Sequence, residues 1–166
     1  MAGFPLRTLL VLFGLWCAPA LAAPDSVSDA LAAALQAPVV NCGAARLDQQ
    51  RLAPYYAAAD TAPLWVGAHG AGARAQLLRT ALQNAGQEGL LPARYWIADI
   101  ESHWPATTPA AQACLELLLT AGFDRYSRDV RRGLTGPHEA DPSWQLRPAP
   151  FDPVAALQAA GTDSDL

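Results

Sequence analysis

The sequence predicts a mainly α protein, a small irregular helical bundle with long Pro/Gly-rich connections. Three observations carry this. The run over residues 108–133 has a helix cap at each end and apolar residues on a 3.6-residue period. No alternation of period two persists for more than a few residues, so sustained strands are not expected. Proline and glycine punctuate the remaining apolar stretches and dominate the chain from Gly133 to Pro150. Internal repeats, heptad arrays and low-complexity tracts are absent from the sequence.

Residues 1–23 read as an address. Arg7 gives a positive start, residues 8–16 form a short apolar run, and small residues at 18–23 predict cleavage after Ala22 or Ala23. That run is too short to span a bilayer. Cys17 follows Leu15 and Trp16, a poor lipidation context because a small residue is wanted before the cysteine. Residues 24–47 are expected to be a fairly exposed N-terminal arm. It would hold a short helix capped by Ser26 or Asp25, with Val27, Ala30, Leu31, Ala34 and Leu35 on one side, stopping before Pro38.

The main domain is expected over residues 48–160. A second helix begins near Asp48 and runs toward Ala59, with Leu52, Tyr55 and Tyr56 on its apolar side. Pro54 should interrupt it unless it falls in the first turn. After the break at 60–63, Leu64, Trp65 and Val66 form an extended piece. A third helix starts at Gly72 or Ala73 and ends at Ala85, marked by Gly86 and Gly89. A short element follows near Ile100, and residues 103–107 read as a loop.

The long helix comes next. Thr108 is its N-cap and Pro109 fits the first helical position. Gly133 supplies a left-handed C′ residue, behind Arg131 and Arg132 at the negative end of the macrodipole. Leu115, Leu118, Leu119, Gly122, Phe123, Tyr126 and Val130 share its apolar arc, with Leu117 on the solvent side. Finally, Asp152 caps, Pro153 starts and Gly161 stops a short last helix, leaving residues 161–166 as a frayed tail.

Composition excludes several classes of function. All 11 basic residues are arginine, and the net charge of −4 becomes −5 without Arg7. An acidic chain without a basic cluster is a poor nucleic-acid binder. Arg125, Arg128, Arg131 and Arg132 interleave with Asp124 and Asp129, which reads as i,i+4 pairing on a solvated face. Beyond the leader, no apolar run is long enough for a transmembrane span. His69, His103 and His138 have no metal-ligand spacing and sit in Gly- or Pro-flanked loops, so they read as surface residues. No cofactor is implied. Asp99 and Glu101 could suggest a glycosidase pair, but two acids near each other in a loop are ordinary.

The residues that invite a structural role are Tyr55, Tyr56, Trp65, Tyr95, Leu118, Phe123, Tyr126, Asp129 and Trp144. In an alanine-rich chain, with 36 alanines in 166 positions, aromatic side chains must supply most of the buried area. Tyr55, Tyr56, Trp65, Tyr95, Trp96 and Trp144 could instead line a glycan groove, though a core role is the better reading. Asp129 falls on the apolar arc and needs a partner, Arg125 being the nearest. Cys42 and Cys114 remain after cleavage. An exported protein can keep a disulfide, and a buried free thiol at Cys114 stays open beside it.

Several of these words together resemble the N-terminal scaffold domain of large periplasmic L,D-transpeptidases, enzymes that cross-link peptidoglycan. The resemblance rests on Leu115, Glu116, Leu117, Leu118, Leu119, Thr120, Ala121, Gly122 and Phe123, then Tyr126, Asp129, Arg131 and Gly133. It extends to Leu52, Tyr55 and Tyr56, to Pro63, Leu64, Trp65 and Val66, to Leu77, Leu78, Leu82 and Ala85, and to Gly89, Leu90, Pro92, Tyr95 and Ile100. Residues 152–160 resemble the closing helix. Ala121 and Gly122 stand where the family often has Asp-Ala.

The resemblance implies an exported, periplasmic, mostly helical scaffold that packs against a catalytic domain. Catalysis does not transfer, because the family's Ser/Thr-His-Gly-Cys motif does not occur before Leu166. A thiolate nucleophile needs a base and an oxyanion hole, and neither Cys42 nor Cys114 sits in such a context. The chain is therefore expected to be no enzyme on its own, a truncated scaffold whose partner is the missing catalytic domain, with Leu117 a candidate contact. The alternative is a stand-alone periplasmic binding module for a cell-wall protein or peptidoglycan. An unrelated hydrolase ranks last.

Overall fold

The computed structural model describes residues 24–57, 59, 61–67, 69–134, 143 and 149–162. In chain order they form α1 (Val27–Ala34), β1 (Val39–Cys42), β2 (Ala45–Asp48), α2 (Gln49–Ala57), β3 (Val66–Gly67), β4 (Gly70–Ala71) and α3 (Ala73–Gln83). Two 3₁₀ turns (Ala85–Glu88 and Pro92–Tyr95) lead to α4 (Ile97–His103), α5 (Pro109–Arg132) and α6 (Pro153–Thr162). The class is mainly α, as the sequence predicts. The expected leader, His138 and Trp144 lie outside the described residues.

Helix α5 is the axle. Helices α1, α2, α3, α4 and α6, both strands of the first hairpin and β3 all pack on it. Its ends follow local chemistry. The Thr108 hydroxyl accepts the Ala111 N–H at 3.3 Å, and the Gly133 N–H donates to the Asp129 carbonyl at 2.8 Å. Gly133 has φ +75° with ψ 174°, so it needs glycine's freedom but is extended rather than left-handed helical.

The single apolar arc expected for α5 does not describe it. Enclosed on all sides, residues 115–122 are buried without interruption. Leu117, placed on the solvent side by periodicity, is fully buried, and Val130, placed on the arc, is exposed. Gly122 lies where α5 meets α3 and α4. A Cβ there would come within 2.9 Å of Leu82 Cδ1, which accounts for glycine in a helix interior.

Residues 24–47 are not an exposed arm. Ser26 caps α1 by accepting the Asp29 N–H at 3.1 Å, and Leu31 is fully buried against the core. Strands β1 and β2 form an antiparallel hairpin, Val39 opposite Asp48 and Cys42 opposite Ala45. The two-residue turn between them starts at Gly43, with φ +61°, the arrangement that matches strand twist. Val40, Cys42, Ala45 and Leu47 point inward while their neighbours point out. This alternation exists in the sequence, but each half is only four residues long.

Three smaller expectations also change. Helix α2 continues through Pro54, which sits in its interior rather than its first turn. His103 closes α4 instead of opening a loop, its Nδ1 2.8 Å from the Asp99 carbonyl. Helix α6 runs on through Gly161 to Thr162, capped by Asp152 Oδ1 accepting the Val154 N–H at 2.9 Å. None of the helices among the described residues is long and apolar enough to cross a membrane.

Candidate functional site

Two polar assemblies on α5 stand out, one sealed and one open. The sealed one is centred on Glu116, which lies within the leucine run of α5 and is fully buried. Its Oε1 accepts the Leu64 N–H at 2.7 Å and the Tyr56 hydroxyl at 3.1 Å. Its Oε2 accepts the N–H groups of Trp65 and Val66, both at 2.9 Å. One turn later, the Thr120 hydroxyl accepts the Trp65 indole N–H at 2.9 Å and lies 2.6 Å from the Tyr56 hydroxyl.

The Glu116 carboxylate thus holds three consecutive backbone N–H groups where the loop before β3 runs into Val66, the first residue of that strand. Burial pushes its carboxyl above the ordinary range, and the N–H donors of residues 64, 65 and 66 together with Tyr56 oppose that rise. Both oxygens only accept, which is the role of the ionised form. Every buried side-chain polar atom among the described residues has a partner. This assembly can anchor a loop; it presents no group to solvent for chemistry.

The second assembly is a groove of about 520 Å³ between the hairpin, the start of α2 and the later turns of α5. Asp124 lies at its base, 3% exposed. Its Oδ1 accepts the Tyr55 hydroxyl at 2.9 Å and the Arg128 Nε and terminal nitrogen at 3.1 and 3.0 Å. Its Oδ2 accepts from Arg51 at 3.1 Å. Sequence reading put Asp124 on a solvated face; with α2 packed above it, its carboxylate accepts four hydrogen bonds, as many as that of Glu116.

Asp129 is less buried, and its partners are not Arg125. It accepts the Tyr95 hydroxyl at 3.0 Å and Arg94 Nε at 3.3 Å. Arg125 instead donates to the Arg94 carbonyl and lies over the Trp96 ring, 4.8 Å from its centroid. Trp96 itself has φ +53°, a conformation an aromatic residue rarely adopts, at the joint between the second 3₁₀ turn and α4.

Of the residues singled out in the sequence, Tyr55, Tyr56, Trp65, Tyr95 and Leu118 are buried, and Phe123 and Tyr126 pack half-buried against them. Phe123 meets Tyr55 and Trp65 at ring-centroid distances of 6.3 and 5.9 Å, and Tyr95 meets Tyr126 edge-on at 5.5 Å. Cys42 and Cys114 are joined by a disulfide with Cα atoms 5.4 Å apart, tying the hairpin to α5. Asp99 and Glu101 do not face each other across a cleft: Glu101 pairs with Arg79 and Gln83. No cluster of three or more His, Cys, Asp or Glu among the described residues could hold a metal ion. Glu116, Thr120 and Asp124 were missed as site residues. For Glu116 a signal existed, since it is the only acid between residues 115 and 119.

The helices wrap on one long central helix, and an acid inside that helix clamps Leu64, Trp65 and Val66. The scaffold-domain family model matches residues 50–166, and the chain belongs to that family. Neither a curated protein nor a solved structure matches it.

Proposed function

We propose that this chain is the non-catalytic scaffold of a periplasmic L,D-transpeptidase, supporting the domain that cross-links peptidoglycan. The observation that carries the reading is the Glu116 clamp. It joins two separate stretches of the resemblance, the Pro63–Val66 words and the leucine-rich helix, through hydrogen bonds of 2.7–2.9 Å from Leu64, Trp65 and Val66. Those words therefore work together, as parts of one scaffold would. Membership of the scaffold-domain family supports the same reading. Export to the periplasm follows from the leader-like residues 1–23 and is part of the proposal.

Leu117 cannot be the contact with the catalytic domain, being fully buried; Leu77 and Leu91, 58% and 59% exposed, are the most exposed large apolar side chains described. The experiment is reconstitution in two pieces. An L,D-transpeptidase catalytic domain bearing the Ser/Thr-His-Gly-Cys motif is expressed alone and with this chain. Co-elution and a raised melting temperature of the catalytic domain are expected. Absence of association with catalytic domains from several such enzymes, together with no frame encoding the motif at the same locus, would overturn the reading in favour of a self-sufficient module.

A further inference from the structure

The groove at the hairpin–α5 junction has more positive charge than the fold uses. Arg46, Arg51, Arg125, Arg128 and Arg132 line it against Asp48, Asp124 and Asp129, an excess of two positive charges. Asp124 is taken by Arg51 and Arg128, while Asp129 is bonded to Arg94, which does not line the groove. Among the described residues, no hydrogen bond or ion pair engages the guanidinium of Arg46 or Arg132. Arg51 gives one nitrogen to Asp124 and is otherwise 59% exposed, so most of its donors face outward.

These groups are placed by regular structure. Arg125, Arg128 and Arg132 follow the three- and four-residue spacing of one helix face. Arg46 is outward-facing on β2. Between the two walls, Leu47, Leu52, Ala121 and Trp96 give the groove apolar surface. Asp124 orients Arg128, and the Trp96 ring positions Arg125, so two of the guanidinium groups are held before any ligand arrives.

We propose that this groove binds a ligand with two carboxylates on a short apolar stem, as at the free end of an acidic peptide. Planar guanidinium forks match carboxylate geometry, and the excess charge of two matches two carboxylates. Polyphosphates and nucleic acids fit poorly, because Asp48 and Asp129 on the wall would repel additional negative charge. A volume of about 520 Å³ suits a ligand of a few residues rather than a folded partner. The inference does not depend on the transpeptidase reading, since it rests on this groove alone.

The test is isothermal titration calorimetry on the full chain at low ionic strength. The probes are N-acetyl-Ala-Glu with a free terminal carboxylate, the same peptide as its C-terminal amide, and inorganic phosphate. The free acid is expected to bind with a Kd of about 1 mM or tighter. Amidation, and separately the double variant R46Q/R132Q, should each weaken binding by about tenfold or more. The double variant should keep its melting temperature, because neither arginine is bonded within the fold. R131Q removes one positive charge from the same helix outside the groove, against two in the double variant, and should bind like wild type. The proposal is overturned if the free acid gives no heat at several times that concentration, if phosphate competes equally, or if R131Q loses as much affinity as the double variant.

Discussion

The Trp65 backbone N–H donates to Glu116 Oε2 over 2.9 Å, across 51 residues of sequence. This bond and its two neighbours fix the N–H groups of residues 64–66, where the loop enters β3. Glu116→Gln keeps the shape but turns one acceptor into a donor aimed at N–H groups. It should destabilise the domain by about 2–4 kcal/mol, the penalty for stranding buried donors. Glu101→Gln breaks a half-exposed pair with Arg79 and should lose no more than about 1 kcal/mol. Urea unfolding of the two variants checks this; equal midpoints would remove the clamp from the account.

A second contrast concerns Asp124 and Asp129. Helical periodicity alone makes Asp129 the structural acid, yet Asp124 carries bonds from Tyr55, Arg51 and Arg128. Asp124→Ala strands a buried phenol and two guanidinium groups and should lose about 3 kcal/mol. Asp129→Ala takes one acceptor from the buried Tyr95 and from the half-exposed Arg94, and with Asp129 itself 14% exposed it should lose about 1 kcal/mol. The measurement is the melting temperature of each variant at neutral pH, with Asp129→Ala the milder change.

The limits of α5 were legible in the sequence because capping is local: Thr108, Pro109 and Gly133 act on their own neighbours. Its buried surface was not, because a periodicity argument assumes one buried face. Leu117 and Asp124 are buried by α1, α2 and the hairpin, which reach α5 from far away in the chain. The hairpin escaped for another reason, since four-residue strands leave no alternation long enough to separate from chance. The groove was legible only as a charged helix face. Its opposite wall, Arg46 and Arg51, becomes visible only once the hairpin is folded back.

The disulfide should matter more than its position near the N-terminus suggests. Cys42 and Cys114 close a separation of 72 residues and bind the hairpin to the central helix. In the chain-entropy model such a cross-link contributes about 4 kcal/mol. Native protein should show no thiol at these two positions in a reactive-thiol assay under denaturing conditions. Reduction, or the C42A/C114A pair, should lower the denaturation midpoint without altering helical content at room temperature.

Gly122 offers a sign test. Replacing glycine by alanine in a helix interior ordinarily gains up to about 1 kcal/mol. Here the added Cβ would sit 2.9 Å from Leu82 Cδ1 and 3.4 Å from the Tyr95 carbonyl oxygen. Leu82 is fully buried, so its movement is resisted by its own neighbours. Gly122→Ala should therefore destabilise by about 1 kcal/mol net. Shortening the obstacle in Leu82→Val should make the glycine replacement less harmful than it is alone, a coupling read from a double-mutant cycle.

The tyrosines predict how the domain fails in alkali. Burial, as the first cause, raises the pKa of Tyr55, Tyr56, Tyr95 and Tyr126 alike, with Asp124, Glu116, Asp129 and Glu88 as the respective anionic neighbours. Tyr95 is pushed up to about 12. A phenol with a raised folded pKa holds its proton longer in the folded chain than in the unfolded one. Stability is therefore unaffected below the unfolded value of about 10 and falls above it, by about 1.4 kcal/mol per pH unit for each fully protected phenol. Tyr95 stops adding to the loss above about 12. These are all four tyrosines of the chain. Absorbance at 295 nm should show no phenolate forming near pH 10 while the far-ultraviolet helix signal persists, and the two signals should change together at higher pH. Titration of two or more tyrosines near pH 10 in a fully helical protein would contradict the burial and the carboxylate contacts assigned to them.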